Sequence, residues 1–420
     1  MDAAPPRATS DRLLIVILLA IIPISQIPID AYTPAIPDMI VELGASSTLV
    51  QNTVSAYVLG MSIGLLPIGI IADAKGRRPT LLVCLALLLV ASIGCALTTD
   101  IHTLLALRFV QGLGGCATMV IVYAIAADRF RGTRLTSISG LLGASWGLAP
   151  VIAPAIGGLL VQYISWRGIF VLIAVSALAA AAAVVFLLPE TLAVDKRTPI
   201  DFREIRGVLA STLRRRIFLG LTLVFAVFAV AQLLFGVVAP LLYETQLGLS
   251  PAIYGLVALL VGAANLAGEL STAHFATRVS PRVLGFGALV SFTAGAIILS
   301  LSGVLVGPHF VWITVGGMLA LAGCGALCPL AYGLTLGKFD RNLGLVGGLT
   351  SAICYLFVAI TMSAAAALPD DSQAPLGFVY AGVAVAGVVL LSLCLPGARA
   401  LRRSSEAGPS EAGDGLHANA

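Results

Sequence analysis

Two ionisable side chains stand deep inside long apolar runs: Asp30 in IPIDAYTPAIP and Arg108 in LLALRFVQG. Such groups cost about 2.5–3.5 kcal/mol each to insert at the centre of a membrane helix, so they are expected to face a cavity and to find partners. A carboxylate and a guanidinium held there could exchange a proton or neutralise one another. Histidine offers no alternative carrier, because His102 and His309 fall in loops on one side, His274 on the other, and His417 in the C-terminal tail. Asp30 is therefore the candidate acid, its proton occupancy set by desolvation against the field of Arg108. In purely structural roles, Asp30 would hydrogen-bond backbone loosened between Pro28 and Pro34, and Arg108 would brace one helix against another. Tyr32, Tyr57, Gln111 and Tyr123, with Gln232, Asn265, Tyr332 and Tyr355 in the second half, are polar-tipped residues inside similar runs. They are candidate walls of a substrate pocket, or else helix-to-helix hydrogen bonds.

The elements that must position these groups are membrane helices. The chain has 420 residues, 59% hydrophobic and 10% charged, with a mean hydropathy of +1.03. Soluble domains carry roughly 25% charged residues, so a water-soluble globule is excluded. A net charge of +4 without a basic, aromatic-rich stripe excludes disorder and nucleic-acid binding. Twelve apolar runs fall at 13–37, 49–72, 80–98, 103–126, 135–162, 168–188, 217–242, 251–272, 282–304, 309–335, 343–367 and 376–396. About 20 such residues cross a bilayer as a helix, and the alternating strands of a membrane barrel are absent. The start, with Arg7 and Arg12 ahead of LLIVILLAII, has the layout of a signal sequence, yet it runs on into Pro-rich apolar chain without a clear cleavage site, so it reads as the first span.

Lys and Arg mark the cytoplasmic side. With the N-terminus inside, all of them except Arg108 and Arg167 fall in cytoplasmic segments, while Asp100, Glu244, Asp370 and Asp371 fall in external loops. Both termini are thus expected in the cytoplasm. The polar stretch 190–216 divides a six-helix bundle over 13–189 from a second over 217–396, flanked by an arm at 1–12 and a disordered tail at 397–420. Equal halves point to a parallel pseudo-repeat with a pathway between them. If helix one ends near Asp38 and helix four begins near Asp100, then Asp30 and Arg108 each lie about eight residues, roughly 12 Å, from the outer surface. Being level, they are expected to meet directly or through water. The seven cysteines fall within spans and read as small packing residues, no metal-ligand pattern is present, and no phosphate-cradling loop points to ATP. No cofactor is expected.

Gly69, Asp73, Gly76, Arg77 and Arg78 in GIIADAKGRRP resemble the loop signature of the major facilitator superfamily, with Ala74 standing where an Arg is usual. The resemblance implies a twelve-helix fold of two pseudo-symmetric bundles and makes this cluster a conformational latch between them. Arg108, Gln111 and Gly112 are similar to an R-x-x-Q-G element that the twelve-helix drug:proton antiporters link to proton coupling. Gly143, Gly147, Pro150, Pro154, Gly157 and Gly158 resemble the antiporter motif of the fifth helix, with Ala153 in place of one Gly. Trp166, Arg167, Ile169 and Phe170, then Pro189, Glu190 and Thr191, resemble landmarks around helix six of that group. Within it, Asp30, Tyr32, Pro34 and Pro37 of the first helix are most similar to the bicyclomycin/chloramphenicol-resistance (Bcr/CflA) family, and the run from Phe339 to Gly344 is similar to phenicol exporters.

The resemblance implies a non-enzymatic, proton-driven carrier, monomeric, in a bacterial inner membrane. It would export small amphipathic drugs, such as phenicols or bicyclomycin-like compounds, against protons by alternating access. An uptake symporter or metabolite exporter on the same fold, and a non-transporting membrane sensor or scaffold, are the rival readings.

Overall fold

A computed structural model describes residues 10–197, 201–276, 278–339, 343–369 and 371–395. The tail at 397–420, most of the N-terminal arm and the stretch 340–342 lie outside the described residues. Twelve helices among them are long and apolar enough to cross a membrane: α1 (Asp11–Leu43), α2 (Ser47–Lys75), α3 (Arg77–Leu97), α4 (Ile101–Arg129), α5 (Gly132–Tyr163), α6 (Arg167–Leu187), α7 (Arg216–Gln246), α8 (Pro251–Phe275), α9 (Pro281–Leu305), α10 (Phe310–Leu336), α11 (Gly344–Ala365) and α12 (Ala374–Cys394). The all-helical, twelve-span architecture matches the expectation from the apolar runs. A connector helix, Phe202–Leu213, lies between α6 and α7 within the stretch read as a polar joint.

Helix starts follow local chemistry. Ser46, Asp100, Ser250 and Ser280 accept backbone N–H groups from the first turns of α2, α4, α8 and α9, occupying donors that a helix start leaves free. The outward faces stay aliphatic, with Val83, Val90 and Val385 each about two-thirds exposed, as a lipid solvent requires. Two large cores form inside: one draws mainly on α1–α6, the other on α7–α12. The seven cysteines are free thiols in the packed interior, six of them buried and Cys328 half-buried.

The halves meet along α2 with α11 and α5 with α8. At the end away from the connector, Thr48 Oγ1 donates to the Ala366 carbonyl (3.0 Å), Ser363 Oγ to Asn52 Oδ1 (2.7 Å), and the Ala252 N–H to Gln162 Oε1 (3.2 Å). Midway, Ser62 Oγ donates to the Ala352 carbonyl at 2.8 Å.

One span departs from the simple reading. α1 is a chain of short pieces: helix Asp11–Ile21, a 3-10 turn Ile22–Ser25, one turn Ile27–Asp30, a second 3-10 turn Thr33–Ala35, then helix Ile36–Leu43. Prolines cause this. Pro23, Pro28, Pro34 and Pro37 lack the N–H that would continue the ladder, leaving carbonyls without helical partners.

Candidate functional site

The broken stretch of α1 carries its unpaired carbonyls into the protein, where side chains of α2 and α4 meet them. The Ile29 N–H bonds to the Gln26 carbonyl at 2.9 Å, so the Ser25 carbonyl is left to accept the Tyr57 hydroxyl at 2.7 Å. Pro34 cannot donate to the Asp30 carbonyl, which takes the Thr33 hydroxyl at 3.1 Å instead. Arg108, 0% exposed, extends from α4 and donates to the Pro28 carbonyl (2.9 Å), the Thr53 carbonyl (3.3 Å) and Gln111 Oε1 (2.6 Å). Tyr32 and Tyr57 lie at 4.6 and 4.7 Å from its charge, ring face on. Hydrogen bonds to a charged group contribute about 1.5–3 kcal/mol each, so these contacts offset the insertion cost without a carboxylate.

The expected direct Asp30–Arg108 contact is not formed. Among the described residues the ion pairs within 4.0 Å involve Arg77, Arg129, Arg134 and Arg167, and none involves Arg108. The heights agree, since Arg108 reaches the carbonyl of Pro28. The side chains diverge because the unwound turn presents its carbonyls toward α4 and the Asp30 carboxylate toward α7 and α8.

There Asp30 borders a cavity of about 60 Å³ with Thr33, Pro150, Pro154, Gln232, Tyr254 and Asn265. Since a water needs roughly 10–15 Å³ on this measure, the space suits a few waters rather than a drug in this conformation. Gln26 lies one turn earlier, beside Asp30; Asp30 Oδ2 is buried without a protein partner.

The antiporter-like residues of α5 build the opposite wall. A methyl on Gly157 would collide with the backbone of Ala31, and one on Gly158 with the backbone of Pro251. These two glycines therefore seat α5 against the broken part of α1 and the start of α8. Pro150 and Pro154 face the cavity. Gly147 faces Glu269, whose Oε2 would stand 3.0 Å from an added methyl, and Gly143 lies near the Tyr123 hydroxyl.

Of the proposed pocket residues, Gln232 and Asn265 border the cavity with Asp30. Tyr32, Tyr57 and Gln111 are instead engaged around Arg108. Tyr32 also hydrogen-bonds Thr53 at 2.7 Å, and Gln111 donates to Ser92 at 2.8 Å. Tyr332 packs its ring on Phe225 and neighbours Tyr123 across the halves, while Tyr355 is buried. These three do not border the cavity. Sequence reading did not select Gln26, Thr33, Tyr254 or Glu269. Glu269 is half-buried between α5 and α8, accepting from Asn265 Nδ2 at 3.0 Å. The available signal was spacing: Gln26–Asp30 and Asn265–Glu269 are both amide–acid pairs four residues apart, neighbours on a helix face.

At the connector end, Arg77 pairs with Asp73 (2.5 Å) and Asp128 (3.0 Å). Glu190 accepts the N–H groups of Arg77 and Arg78 at 3.0 and 3.2 Å, closing the start of α3 with a carboxylate where the helix dipole favours one. Gly76, at φ +112°, makes the turn between α2 and α3. Gly69 lies against Val120 of α4. The contacts of this expected latch join α2, α3 and α4 to Glu190 at the start of the connector, and among the described residues none of its ion pairs or these hydrogen bonds reaches the second half. At the other end Arg167 pairs with Glu42 beside Trp166, whose indole donates to the same carboxylate at 2.5 Å.

A sequence profile described as Major Facilitator Superfamily matches residues 18–362. The chain belongs to that superfamily. Among major-facilitator relatives, an uncharacterized MFS-type transporter, YdgK of Bacillus subtilis, is 28% identical over 381 residues, covering 90% of this chain and 94% of the relative. The multidrug resistance protein MdtL of Escherichia coli O127:H6 is 28% identical over 317 residues, 76% of this chain and 79% of MdtL. Among solved major-facilitator folds, the D-xylose-proton symporter aligns with a TM-score of 0.70 at 14% identity, covering 92% of this chain and 96% of that one. The human organic anion transporter MFSD10 aligns with a TM-score of 0.63 at 16% identity, covering 92% of this chain and 100% of that one. Together with the twelve apolar helices, membership makes the chain a multi-pass membrane transporter.

Proposed function

We propose that this transporter is a drug/proton antiporter of the bicyclomycin/chloramphenicol-resistance kind, exporting small amphipathic compounds across a bacterial inner membrane with both termini in the cytoplasm. The observation that carries the reading is the Asp30 carboxyl at the cavity wall, on backbone freed by four prolines, with one oxygen lacking any protein partner. Similarity to a protein named for multidrug resistance supports the cargo class.

In this reading Asp30 holds either a proton or the polar end of a drug. Protonation from outside releases cargo, reorientation of the halves carries the proton inward, and deprotonation to the cytoplasm frees the site again. Exclusive occupancy makes exchange obligatory, because each ligand shifts the equilibrium that the other needs. Arg108 is a positioning residue that holds the broken α1 backbone where Asp30 can switch. In this reading the Asp73–Arg77–Asp128 cluster holds first-half helices together at the inner end, and the seal at the far end fits a carrier closed toward the outside.

Inverted membrane vesicles with an acidic interior test the exchange. Adding an exported drug is expected to raise internal pH with the wild type and to leave it unchanged with Asp30→Asn. Undiminished exchange by that variant would remove Asp30 from coupling. A symporter would make the interior more acidic on adding its substrate from outside, and a sensor would leave pH unmoved.

A further inference from the structure

We propose that the acidic part of the C-terminal tail, residues 404–416, docks on a stripe of arginines along the connector helix Phe202–Leu213, strapping the end of α12 to the segment that joins the two halves. The strap stands apart from the exchange reading above.

The connector helix sorts its residues by face. Ile205, Val208 and Leu209 are half-buried and Thr212 is buried, and Leu209 packs with Phe218, Val346 and Leu349 at the connector-side ends of α7 and α11. The Arg214 N–H bonds to the Ala210 carbonyl at 3.2 Å, so the helical turn runs on through Arg214. At 3.6 residues per turn, Arg203, Arg206 and Arg214 fall within about 80° of one another, opposite Thr212, in a row about 16 Å long. All three are exposed, as are Gly207 and Ala210 between them, and open space surrounds Gly207 where a side chain would stand. Among the described residues no carboxylate pairs with these arginines within 4.0 Å. Arg215 is differently employed: it donates to the Lys338 carbonyl at 3.3 Å and lies over the Phe339 ring. Because the apolar face of the helix is turned toward the ends of the spans, the stripe faces water rather than lipid, and an acidic soluble segment fits it.

The chain itself supplies that segment. An even number of spans, α7–α12, separates the connector from the tail, so both lie on the same side of the membrane. The tail also starts nearby: a methyl on Gly220, one turn into α7, would stand 2.5 Å from Cys394 Sγ at the end of α12. Beyond Arg399, Arg402 and Arg403, residues 404–416 carry Glu406, Glu411 and Asp414 and no Lys or Arg. As flexible chain, the stretch from Leu395 to Glu406 spans roughly 18 Å and that from Glu406 to Asp414 roughly 16 Å, which matches the stripe. Exposed ion pairs are individually weak, but the tether holds the acids at an effective concentration on the order of mM. Salt loosens the strap, since the screening length falls from about 10 Å at 0.1 M to about 3 Å at 1 M.

Full-length protein in phosphatidylcholine nanodiscs tests this with Arg203→Lys/Arg206→Lys/Arg214→Lys, which keeps the charge and supplies amines. A carbodiimide, which takes up the water lost as an amine and a carboxylate condense, is expected to couple positions 203, 206 or 214 to Glu406, Glu411 or Asp414 within one chain, as read by mass spectrometry. Coupling is expected to fall at least about fivefold in 1 M salt. With the native arginines, a Glu-specific protease is expected to cut after Glu406 and Glu411 at least about fivefold more slowly than in Arg203→Gln/Arg206→Gln/Arg214→Gln at the same salt; these substitutions are on the exposed face and leave the packed one intact. No coupling to the tail, coupling only between two copies, coupling unchanged by salt, or equal cleavage of the two proteins would overturn the proposal. So would coupling that disappears in phosphatidylglycerol nanodiscs, which would assign the stripe to anionic headgroups.

Discussion

Arg108 shows how a charge can be kept in a membrane interior without an acid beside it. Three acceptors and two aromatic faces surround the guanidinium, and two of the acceptors are backbone carbonyls. Removing the side chain leaves buried acceptors unpaired at about 1–3 kcal/mol each. Arg108→Ala is therefore expected to lower stability by roughly 3 kcal/mol or more, read as a large drop in thermal midpoint in detergent, together with lost transport. Lys is expected to rescue poorly, since a point charge cannot span three diverging acceptors. Tyr57→Phe removes only the donor to Ser25 and is expected to cost about 1–3 kcal/mol. A near-native midpoint for Arg108→Ala would show that the nest is not what holds α1.

Glycines set the geometry at the scale of helices. A methyl on Gly60 would meet the backbone of Phe109, and one on Gly112 the backbone of Tyr57 and Met61, so α2 and α4 touch main chain to main chain. Overpacking such a contact costs about 1–3 kcal/mol. Gly112→Ala is expected to lower the thermal midpoint and to weaken transport by moving Tyr57, whereas Gly140→Ala, with open space around it, is expected to do neither. Asp100 closes the start of α4. Its carboxyl is held below the usual carboxylate range, first by the Thr103 N–H and then by the Thr103 hydroxyl. That contribution is present once the unfolded acid is ionised, and it is lost as pH falls through the lowered value. Spans were legible because length and apolarity are written locally. The direction of Asp30 was not, because it depends on which carbonyls four prolines release and which side chains of other helices answer them. Glu269 was passed over for a similar reason: its distance from the helix end is visible in the sequence, but the α5 surface above it is not.

In the proposed cycle the two halves rock so that the site faces each side in turn. Ser363 and Asn52 touch across the sealed end at 2.7 Å. Cysteines at both positions, bridged by oxidation, are expected to stop transport and to release it again on reduction; uninterrupted transport would show that this end need not open. Fold and membership were readable from the whole length of the chain, whereas the separation of Arg108 from the cavity emerges only when both halves are assembled. In the proposed exchange, one carboxyl on α1 gives up its proton when cargo binds. Its most direct measurement is proton release from purified protein in weak buffer, followed with a pH indicator as an exported drug is added. Wild type is expected to release close to one proton per drug bound, and Asp30→Asn none while still binding. Equal release from both proteins would contradict it.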